Sequence, residues 1–560
     1  MRKIVVALAG LLSLLLLAGP AQGQGAQKNV ELLDNLPEVK NATAINFLEY
    51  GKDRGRDDDD DEDDDDDDDR WRKDDDRRGK ASGRDHGRKS SDVMLVTGRF
   101  GLKSYSLRDP ANPRLLDEIT AEELRLPGDP PVDFGPPDTS APVSTFWQNE
   151  DMDVDQDRKL ALLSRDPRAY KGTTTGDVNP NPPAGSPTNI AGVYVIDARD
   201  PERLRLLSFQ ELPTGHTTTC VNDCEWLWTG GPAASTTQAG PPLNWTFGRP
   251  IIVTDLSNPR SPRAYPMDPV DLFRRDGATA YSHDVQVDDM GIAWVSGDGG
   301  TRGYWTEGRH FDPLEGRKRR ATALEPIPYA GGGLPAAVTG DATGGFEHNA
   351  WRPVGRDAPD GDRRYRKGEL LLATEEDFGP ASEACANRGQ FTIASLEGSY
   401  DGEAWRSTPA NPFRLETVGT WNPAGKEGSR NPAGPFNPLA NFCSAHYFDV
   451  DDNTVTYAWY GEGTRFLDIS DPENPTQFAY WRPDDGIVWA SYMHEGYVYT
   501  ADRTRGVDVL RLTGAATAAR AAGREVVAPP PSKRQLWFLD RASRQFTTDP
   551  GTAGICLIEL

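Results

Sequence analysis

Cysteine, histidine and methionine are scarce in this chain of 560 residues, which contains five Cys, seven His and six Met. Five cysteines are too few for a small disulfide-stapled scaffold, and an odd count leaves at least one without an internal partner. In an oxidising compartment we expect the pairs Cys220–Cys224 and Cys385–Cys443, with Cys556 left over. The length is sufficient for a large hydrophobic core.

Long hydrophobic runs are also missing, apart from one near the first residue. Arg2 and Lys3 precede an apolar stretch from Ile4 to Ala18, and the small residues around Ala21-Gln22-Gly23 suit signal peptidase. The stretch is short and no second one follows, which is typical of a secretory signal rather than a membrane span. We therefore expect residues 1–23 to be a signal peptide. The mature protein is then secreted or held at the cell surface, and it does not span the membrane.

Basic residues are too few to balance the acidic ones, and the net charge is −25. Much of the excess comes from residues 57–69, which read DDDDDEDDDDDDD. No basic face compensates for it, so the sequence excludes nucleic-acid binding. Such a tract cannot pack in a core, and residues 52–91 are predicted to be a disordered acidic insertion. Weak binding of calcium or of a cationic partner and a merely solvated loop both fit this composition.

A repeated pattern of strands and turns dominates the rest of the chain. An apolar strand, a turn with Asp-Pro or Asn-Pro and a second strand recur at 101–119, 192–212, 250–266 and 464–481. Another strand pair precedes these hairpins, most clearly in SHDVQVDDMGIAWVSGDGG at 282–300. Each unit is thus predicted to contain four antiparallel strands. Units of this kind, repeated along a chain, are the signature of a β-propeller.

Counting the units predicts an all-β fold with seven four-stranded blades. The last unit, through GVDVLRL at 506–512, lacks an outer strand. The segment NVELLDNLP at 29–37 matches the outer-strand pattern, so an N-terminal strand is expected to close the last blade. The acidic insertion falls in the first blade. Because the fourth and fifth units are the least regular, six or eight blades also fit.

The segments VYVIDARDP, PIIVTDLSNP and RFLDISDPENP resemble the LVIVD repeat of secreted and surface-associated bacterial β-propellers. The similarity covers most of residues 29–512 and implies the propeller fold and an exported protein. It implies no particular activity, because the repeat rather than a reaction defines that family. Residues 513–560 fall outside it and are predicted to form an Ala-rich and then Pro-rich tail.

Four of the seven histidines head successive inner strands of the predicted blades. They are His216, His283, His348 and His446, and Glu150 takes the same position in the second blade. Because inner strands of a propeller line one central channel, we expect these side chains to converge there. Imidazoles with one carboxylate suit a transition metal such as copper, zinc or iron. Channel histidines that only bond to ordered water are the other interpretation.

The sequence leaves two classes of function open. The first is a binding scaffold for an extracellular protein or ligand, with contacts on the long loops at 120–146, 165–191, 229–248 and 301–345. The alternative is a metal-dependent enzyme, such as an oxidoreductase, that acts at the histidines. The acidic groups Glu375-Glu376-Asp377 and the pair Asp449 and Asp451 are interpreted as solvated residues at strand ends.

Overall fold

The computed structural model shows a chain folded almost entirely into β-strands. It describes residues 25–50, 92–127, 129, 150–166, 190–231, 249–265, 282–288, 290–297, 300–312, 315–330, 347–353, 369–376, 389–396, 415–429, 444–451 and 453–516. The predicted signal peptide, the acidic insertion and nearly all of the C-terminal tail lie outside these residues. Within the described part, no helix is both long and apolar enough to cross a membrane.

Seven antiparallel sheets form the blades of a seven-bladed β-propeller, as the repeat predicts. Two strands, β1 (Ala26–Lys28) and β2 (Val30–Leu36), and a 3-10 helix (Pro37–Val39) come first. Blades 1 to 3 follow with β3 (Ala42–Leu48), β4 (Val93–Gly98), β5 (Gly101–Ser106) and β6 (Arg114–Thr120); β7 (Met152–Asp155), β8 (Leu160–Arg165), β9 (Ala191–Asp197) and β10 (Arg205–Leu212); and β11 (Thr217–Val221), β12 (Trp226–Gly231), β13 (Arg249–Asp255) and β14 (Arg263–Tyr265).

Blade 4 contains six strands, of which two form a separate hairpin. They are β15 (Ser282–Val287), β16 (Ile292–Gly297), β17 (Gly300–Trp305), β18 (Arg309–Asp312), β19 (Arg317–Arg320) and β20 (Ile327–Ala330). Blades 5 to 7 are β21 (Glu347–Trp351), β22 (Leu370–Glu375), β23 (Phe391–Ser395) and β24 (Glu416–Trp421); β25 (Phe448–Asp451), β26 (Thr454–Ala458), β27 (Thr464–Asp468) and β28 (Thr476–Arg482); and β29 (Val488–His494), β30 (Tyr497–Asp502) and β31 (Gly506–Leu512).

The two faces of the propeller follow from this strand order. The first strand of each blade is the inner one, and the strands of a blade alternate in direction. We call the face where the inner strands begin the upper face and the face where they end the lower face. Connections from the first to the second strand and from the third to the fourth therefore lie on the lower face.

Strand β2 completes the seventh blade from the opposite end of the chain. It pairs antiparallel with β31, from Val30 opposite Leu512 to Leu36 opposite Val507. Strand β1 extends blade 6 by pairing with β28. The predicted closure by the N-terminal strand is confirmed, and it removes the open edges that an unclosed ring would expose.

The Asp-Pro and Asn-Pro turns of the repeat have one common geometry. In each turn the backbone carbonyl of the Asp or Asn accepts a hydrogen bond from the N–H three residues on, at 2.9–3.0 Å. Its side-chain oxygen accepts a second bond from the N–H two residues on, at 3.2–3.3 Å. The turns begin at Asp109, Asp200, Asn258 and Asp471. The side chain thus satisfies a backbone donor that the turn would otherwise leave to solvent.

Apolar side chains of adjacent blades pack against one another to form the core. Trp228, Trp294, Trp459 and Trp489 are fully buried. Trp228, for example, shares a cluster with residues of both blade 3 and blade 4. These tryptophans recur along the sequence at related blade positions, and their burial shows that they pack between blades.

Polar side chains on the inner strands tie neighbouring blades together around the channel. Asn46 donates to the carbonyl of Met152 in blade 2 at 3.1 Å. Asp153 accepts from the N–H of Cys220 in blade 3 at 2.7 Å, and Asp449 accepts from Met493 in blade 7 at 2.7 Å. Asp449 is therefore a structural link and not a freely solvated strand-end residue. Such bonds hold the inner strands in fixed positions.

Two further predictions from the sequence are settled in part. Cys220 and Cys224 form the expected disulfide in the β11–β12 turn, whereas Cys385, Cys443 and Cys556 lie outside the described residues. The expectation of a loop over 301–345 is wrong for its first part, which holds most of β17 and all of β18, β19 and β20. The basic hairpin lacks the apolar alternation by which the other strands were identified. Most of the other three predicted loops lies outside the described part.

A pH-dependent stability is predicted for Asp502, whose Oδ1 accepts from the N–H groups of Ile487, Thr504 and Arg505. Burial, followed by the charge of Asp508, raises its pKa to about 6. Because the unfolded value is about 3.9, the folded state binds the proton more tightly, and this group favours folding as the pH falls through 6. We expect the free energy of unfolding of the Asp502→Asn variant to be about 2–3 kcal/mol higher than that of the wild type at pH ~8. Near pH ~4 the two values are expected to be equal.

Urea denaturation at both pH values measures this effect. Asp471→Asn, at an exposed turn, is the matched control and is expected to keep the wild-type pH dependence. Equal pH dependence of the Asp502→Asn variant and the wild type would show that Asp502 does not titrate in this range.

Candidate metal centre

The four histidines and the glutamate that head the inner strands meet in the central channel. His283 and His348 lie in β15 and β21, whereas His216 lies one residue before β11 and His446 lies two residues before β25. Glu150 precedes β7, and its N–H donates to the carbonyl of His216 at 3.2 Å. All five side chains are buried. We call the four histidines the histidine ring; it lies at the upper end of the channel, because that is where the inner strands begin.

The Nε2 atoms of the ring are close to one another and to Glu150. His216 Nε2 lies 3.0 Å from His283 Nε2. Glu150 Oε1 lies 2.7 Å from His446 Nε2 and 3.4 Å from His348 Nε2, and Glu150 Oε2 lies 3.9 Å from His216 Nε2. Adjacent ring centroids are 3.9–4.7 Å apart. The Nε2 atoms thus face a shared space that is small enough for one ion to contact several of them.

The Nδ1 atoms face outward, to acceptors. His283 Nδ1 lies 2.9 Å from the carbonyl of His348, and His446 Nδ1 lies 2.5 Å from that of Trp489. A carbonyl only accepts, so Nδ1 carries a hydrogen in both rings, and in the neutral ring of His283 Nε2 then carries the lone pair. His216 Nδ1 faces Asp166 Oδ2 at 2.6 Å in the same way. These outer contacts are those of metal-ligating histidines.

Burial keeps the imidazoles of His283 and His348 neutral. It lowers the pKa of His283 well below the usual value, with a further contribution from His348 and His216. Burial, followed by the charge of His446, lowers the pKa of His348 to about 3. Where both rings carry their hydrogen on Nδ1 alone, the lone pairs of His216 Nε2 and His283 Nε2, 3.0 Å apart, repel each other unless they share a positive charge. A metal ion supplies that charge.

Glu150 stays ionised despite its burial. Burial raises its pKa, but the charge of His446 and the hydrogen bonds from His348 and His446 outweigh this and hold the pKa well below its usual value. The ring therefore includes one anionic oxygen donor at neutral pH. An ionised, buried carboxylate beside the imidazoles of the ring attracts a cation into the channel.

A second carboxylate at the ring was not identified from the sequence. Glu376, at the end of β22, was interpreted as solvated, but it is buried. Its Oε2 lies 4.0 Å from His348 Nε2, and its Oε1 lies 3.9 Å from His446 Nε2. The hydroxyl of Tyr460 donates to Glu376 Oε1 and holds it in place. Glu376 follows the second strand of its blade, whereas the ring was predicted only from residues at the start of inner strands. It was therefore not predicted to reach the ring.

The remaining described histidines are not in the ring. His494 lies at the lower end of β29, stacks on Phe47 and contacts Asp92 Oδ2 at 3.1 Å. His310 lies in the β18–β19 hairpin and stacks on Trp305. Both positions agree with the sequence, which placed these two histidines outside the ring.

The channel continues below the ring as a polar interior. Asp151 is half-buried and Asp284 is buried, and a cavity of about 170 Å³ is lined by Asp151, Asp153 and Tyr492, among others. Burial, followed by Asp153, raises the pKa of Asp151 to about 7. Burial, followed by Asp151, raises that of Asp284 well above its usual value. Proton-bearing carboxyl groups therefore lie directly beneath the histidines.

Fold and site together define a seven-bladed β-propeller with a buried cluster of histidines and carboxylates in its channel. No family model matches the chain, and no curated protein matches it. A solved structure with a related fold is that of Sqt1 from Chaetomium thermophilum, bound to the N-terminus of the ribosomal protein L10. That match covers 74% of this chain and 80% of the other at 12% identity, with a TM-score of 0.34. At this level of similarity it carries no information about function.

Proposed function

We propose that this chain binds one first-row transition metal ion at the histidine ring and acts there as a metal-dependent enzyme, an oxidoreductase. One observation carries the proposal: imidazole nitrogens of four blades face one space that also holds the ionised Glu150. Water-lining histidines need not present their acceptor atoms to one another at 3.0 Å. The outward bonds of Nδ1 add support, since they fix the tautomer that ligates.

The donor set favours iron or copper over structural zinc. Four imidazoles and one carboxylate exceed the four ligands of a closed zinc site. In a six-coordinate ion they leave one position for a substrate, water or dioxygen. Glu376 lies within 4.0 Å of two ring nitrogens and is placed to orient what binds there. The bound metal would supply redox chemistry, and the protein would supply a dry, rigid site.

Elemental analysis of the purified mature protein tests this proposal. The protein is produced with manganese, iron, copper and zinc in the medium and dialysed without a chelator. We expect about one iron or copper per chain in the wild type. The double variant His283→Ala/His446→Ala is expected to contain less than about a tenth of that amount, because it removes two of five donors.

The matched control is His494→Ala, which removes a histidine outside the ring and is expected to retain the metal. Circular dichroism and size exclusion establish that each variant is folded. Folded wild-type protein without a bound metal, or a double variant that retains it, would contradict the proposal. An EPR signal from nitric oxide added to the ferrous protein reports the open coordination position.

A binding scaffold is the second candidate, and the propeller fold supports it because a rigid ring holds many loops in fixed positions. We propose with it that the protein is an exported member of the LVIVD-type propellers. The Cys220–Cys224 disulfide supports export, since disulfides persist in oxidising compartments. Absence of metal together with capture of a defined extracellular ligand by the folded protein would favour this function over the enzyme.

A further inference from the structure

The β18–β19 hairpin presents an exposed cationic face that the fold itself does not explain. In its register, Arg309 lies opposite Arg320 and Phe311 lies opposite Lys318. These four residues point away from the blade, because side chains alternate along a strand. All four are exposed, and Phe311 is 45% exposed. The face therefore combines three positive charges with one aromatic ring.

The other side of the hairpin packs against blade 4. His310 stacks on Trp305 with 3.8 Å between the ring centroids. Arg319 donates to Asp312 Oδ2 at 2.5 Å and to the carbonyls of Glu325 and Pro326 at 2.7 and 2.8 Å. These contacts hold the hairpin against blade 4 and give its inward-facing side chains a structural role. The hairpin thus holds its outward face in a defined position.

The positive charges on the outward face destabilise the hairpin. Like charges directly opposite each other in a strand pair are destabilising, and Arg309 and Arg320 form such a pair. Arg317 is bonded to Glu315 at 2.7 Å, but the side chains of Arg309, Lys318 and Arg320 form no ion pair with any residue that the structure describes. A cationic face of this kind fits a flexible polyanion.

We propose that this face binds the acidic segment 57–69 of the same chain. The segment carries thirteen carboxylates in an unbroken run, DDDDDEDDDDDDD. It belongs to the connection between the first and second strands of blade 1, and the hairpin belongs to the connection between the third and fourth strands of blade 4. Both connections begin and end at the lower face of the propeller, so the acidic segment is tethered to the face to which the hairpin is also attached.

The tether is long enough for this contact. Asp57 lies nine positions after Leu48, and Val93 lies twenty-four positions after residue 69. At about 3.3–3.6 Å per residue these lengths reach roughly 30 Å and 80 Å. A domain of this size has a radius of gyration of about 23 Å. The acidic segment therefore reaches across the lower face, and its contact neutralises both the segment and the hairpin.

Zero-length cross-linking of amines to carboxylates tests the contact in the full mature chain, because Lys318 supplies an amine within the face. We expect a cross-link between Lys318 and residues 57–69, identified by mass spectrometry at low ionic strength. An equal mixture of ¹⁴N and ¹⁵N protein shows whether it forms within one chain. At about 1 M salt, where the screening length is ~3 Å, we expect the yield to fall by about fivefold or more.

Two substitution variants and one deletion separate docking from proximity. Arg309→Ser/Arg320→Ser keeps the reactive lysine but removes the charges beside it, and the cross-link yield is expected to fall by about fivefold. In Lys318→Arg the charge remains but the amine is lost, so this variant loses the cross-link. A chain without residues 57–69 is expected to elute later from heparin resin than the wild type, because its hairpin is exposed.

Three results would overturn the proposal. They are no Lys318 cross-link to the segment at low salt, a cross-link only between chains, and a yield that neither salt nor the Arg309→Ser/Arg320→Ser variant changes. The second result would assign the face to the acidic segment of a second copy. None of these readouts depends on the metal centre.

Discussion

A mature chain that lacks residues 25–36 is expected to lose the closed ring and much of its stability. Strand β2 is the hydrogen-bonded partner of β31 and buries Val30 and Leu36. At about 1.5–3 kcal/mol for each fully buried aliphatic side chain, these two residues and the partly buried Leu32 and Leu33 contribute on the order of 5 kcal/mol. The free energy of unfolding of a folded domain is only ~5–15 kcal/mol, so this contribution is a large share of it. The deletion also leaves the backbone of β31 unpaired.

Thermal unfolding and size exclusion measure the loss. A synthetic peptide of residues 25–36, added in excess, is expected to restore much of the melting temperature by pairing with β31. The control peptide has Val30 and Leu36 replaced by aspartate. An unchanged melting temperature after the deletion, or equal rescue by both peptides, would show that β2 does not close the ring.

Asp166→Asn is expected to weaken metal binding at the histidine ring by about 10- to 100-fold. Asp166 Oδ2 lies 2.6 Å from His216 Nδ1, and both side chains are buried. The carboxylate holds the hydrogen on Nδ1 and increases the basicity of Nε2. An asparagine amide has the same shape but no charge, and it can also donate, which permits the wrong tautomer. Titration against a chromophoric chelator measures the affinity of each folded variant.

Asp92→Asn is the matched control, since Asp92 contacts His494 Nε2 at 3.1 Å outside the ring. It is expected to leave metal affinity unchanged. Saturating metal at about 1,000 times the dissociation constant stabilises the folded state by ~4 kcal/mol. At that same metal concentration, Asp166→Asn is expected to show about 1.4–2.7 kcal/mol less stabilisation. Equal affinities of the Asp166→Asn and Asp92→Asn variants would exclude a role for Asp166 in supporting the metal.

Local chemistry made most of the fold predictable from the sequence. The turns at Asp109, Asp200, Asn258 and Asp471 are set by residues within four positions of one another, and those residues are visible in the sequence. Closure by β2 was also predictable, because its alternation matches that of the outer strands. His216 was predicted to head an inner strand, and the structure places it one residue before β11. Its side chain still reaches the ring.

Features that depend on tertiary contacts between side chains were not predictable from the sequence. Glu376 reaches the ring from the end of a second strand, and its place depends on Tyr460 in another blade. No spacing in the sequence relates these two residues. The β18–β19 hairpin was likewise missed, because charged residues replace the apolar alternation of a strand there. Its anchor is the stacking of His310 on Trp305, which is a tertiary contact.

The pairing of residue 30 with residue 512 also sets an order of folding events. Each blade can form from hairpins between strands that follow one another in sequence, and such local contacts form early. The seventh blade is different, since its outer strand is among the first parts of the chain to be synthesised and its partner is among the last of the propeller. Until β31 emerges, β2 has no place to bind. The final step of folding is therefore expected to be slow and to resemble a docking reaction between chain ends.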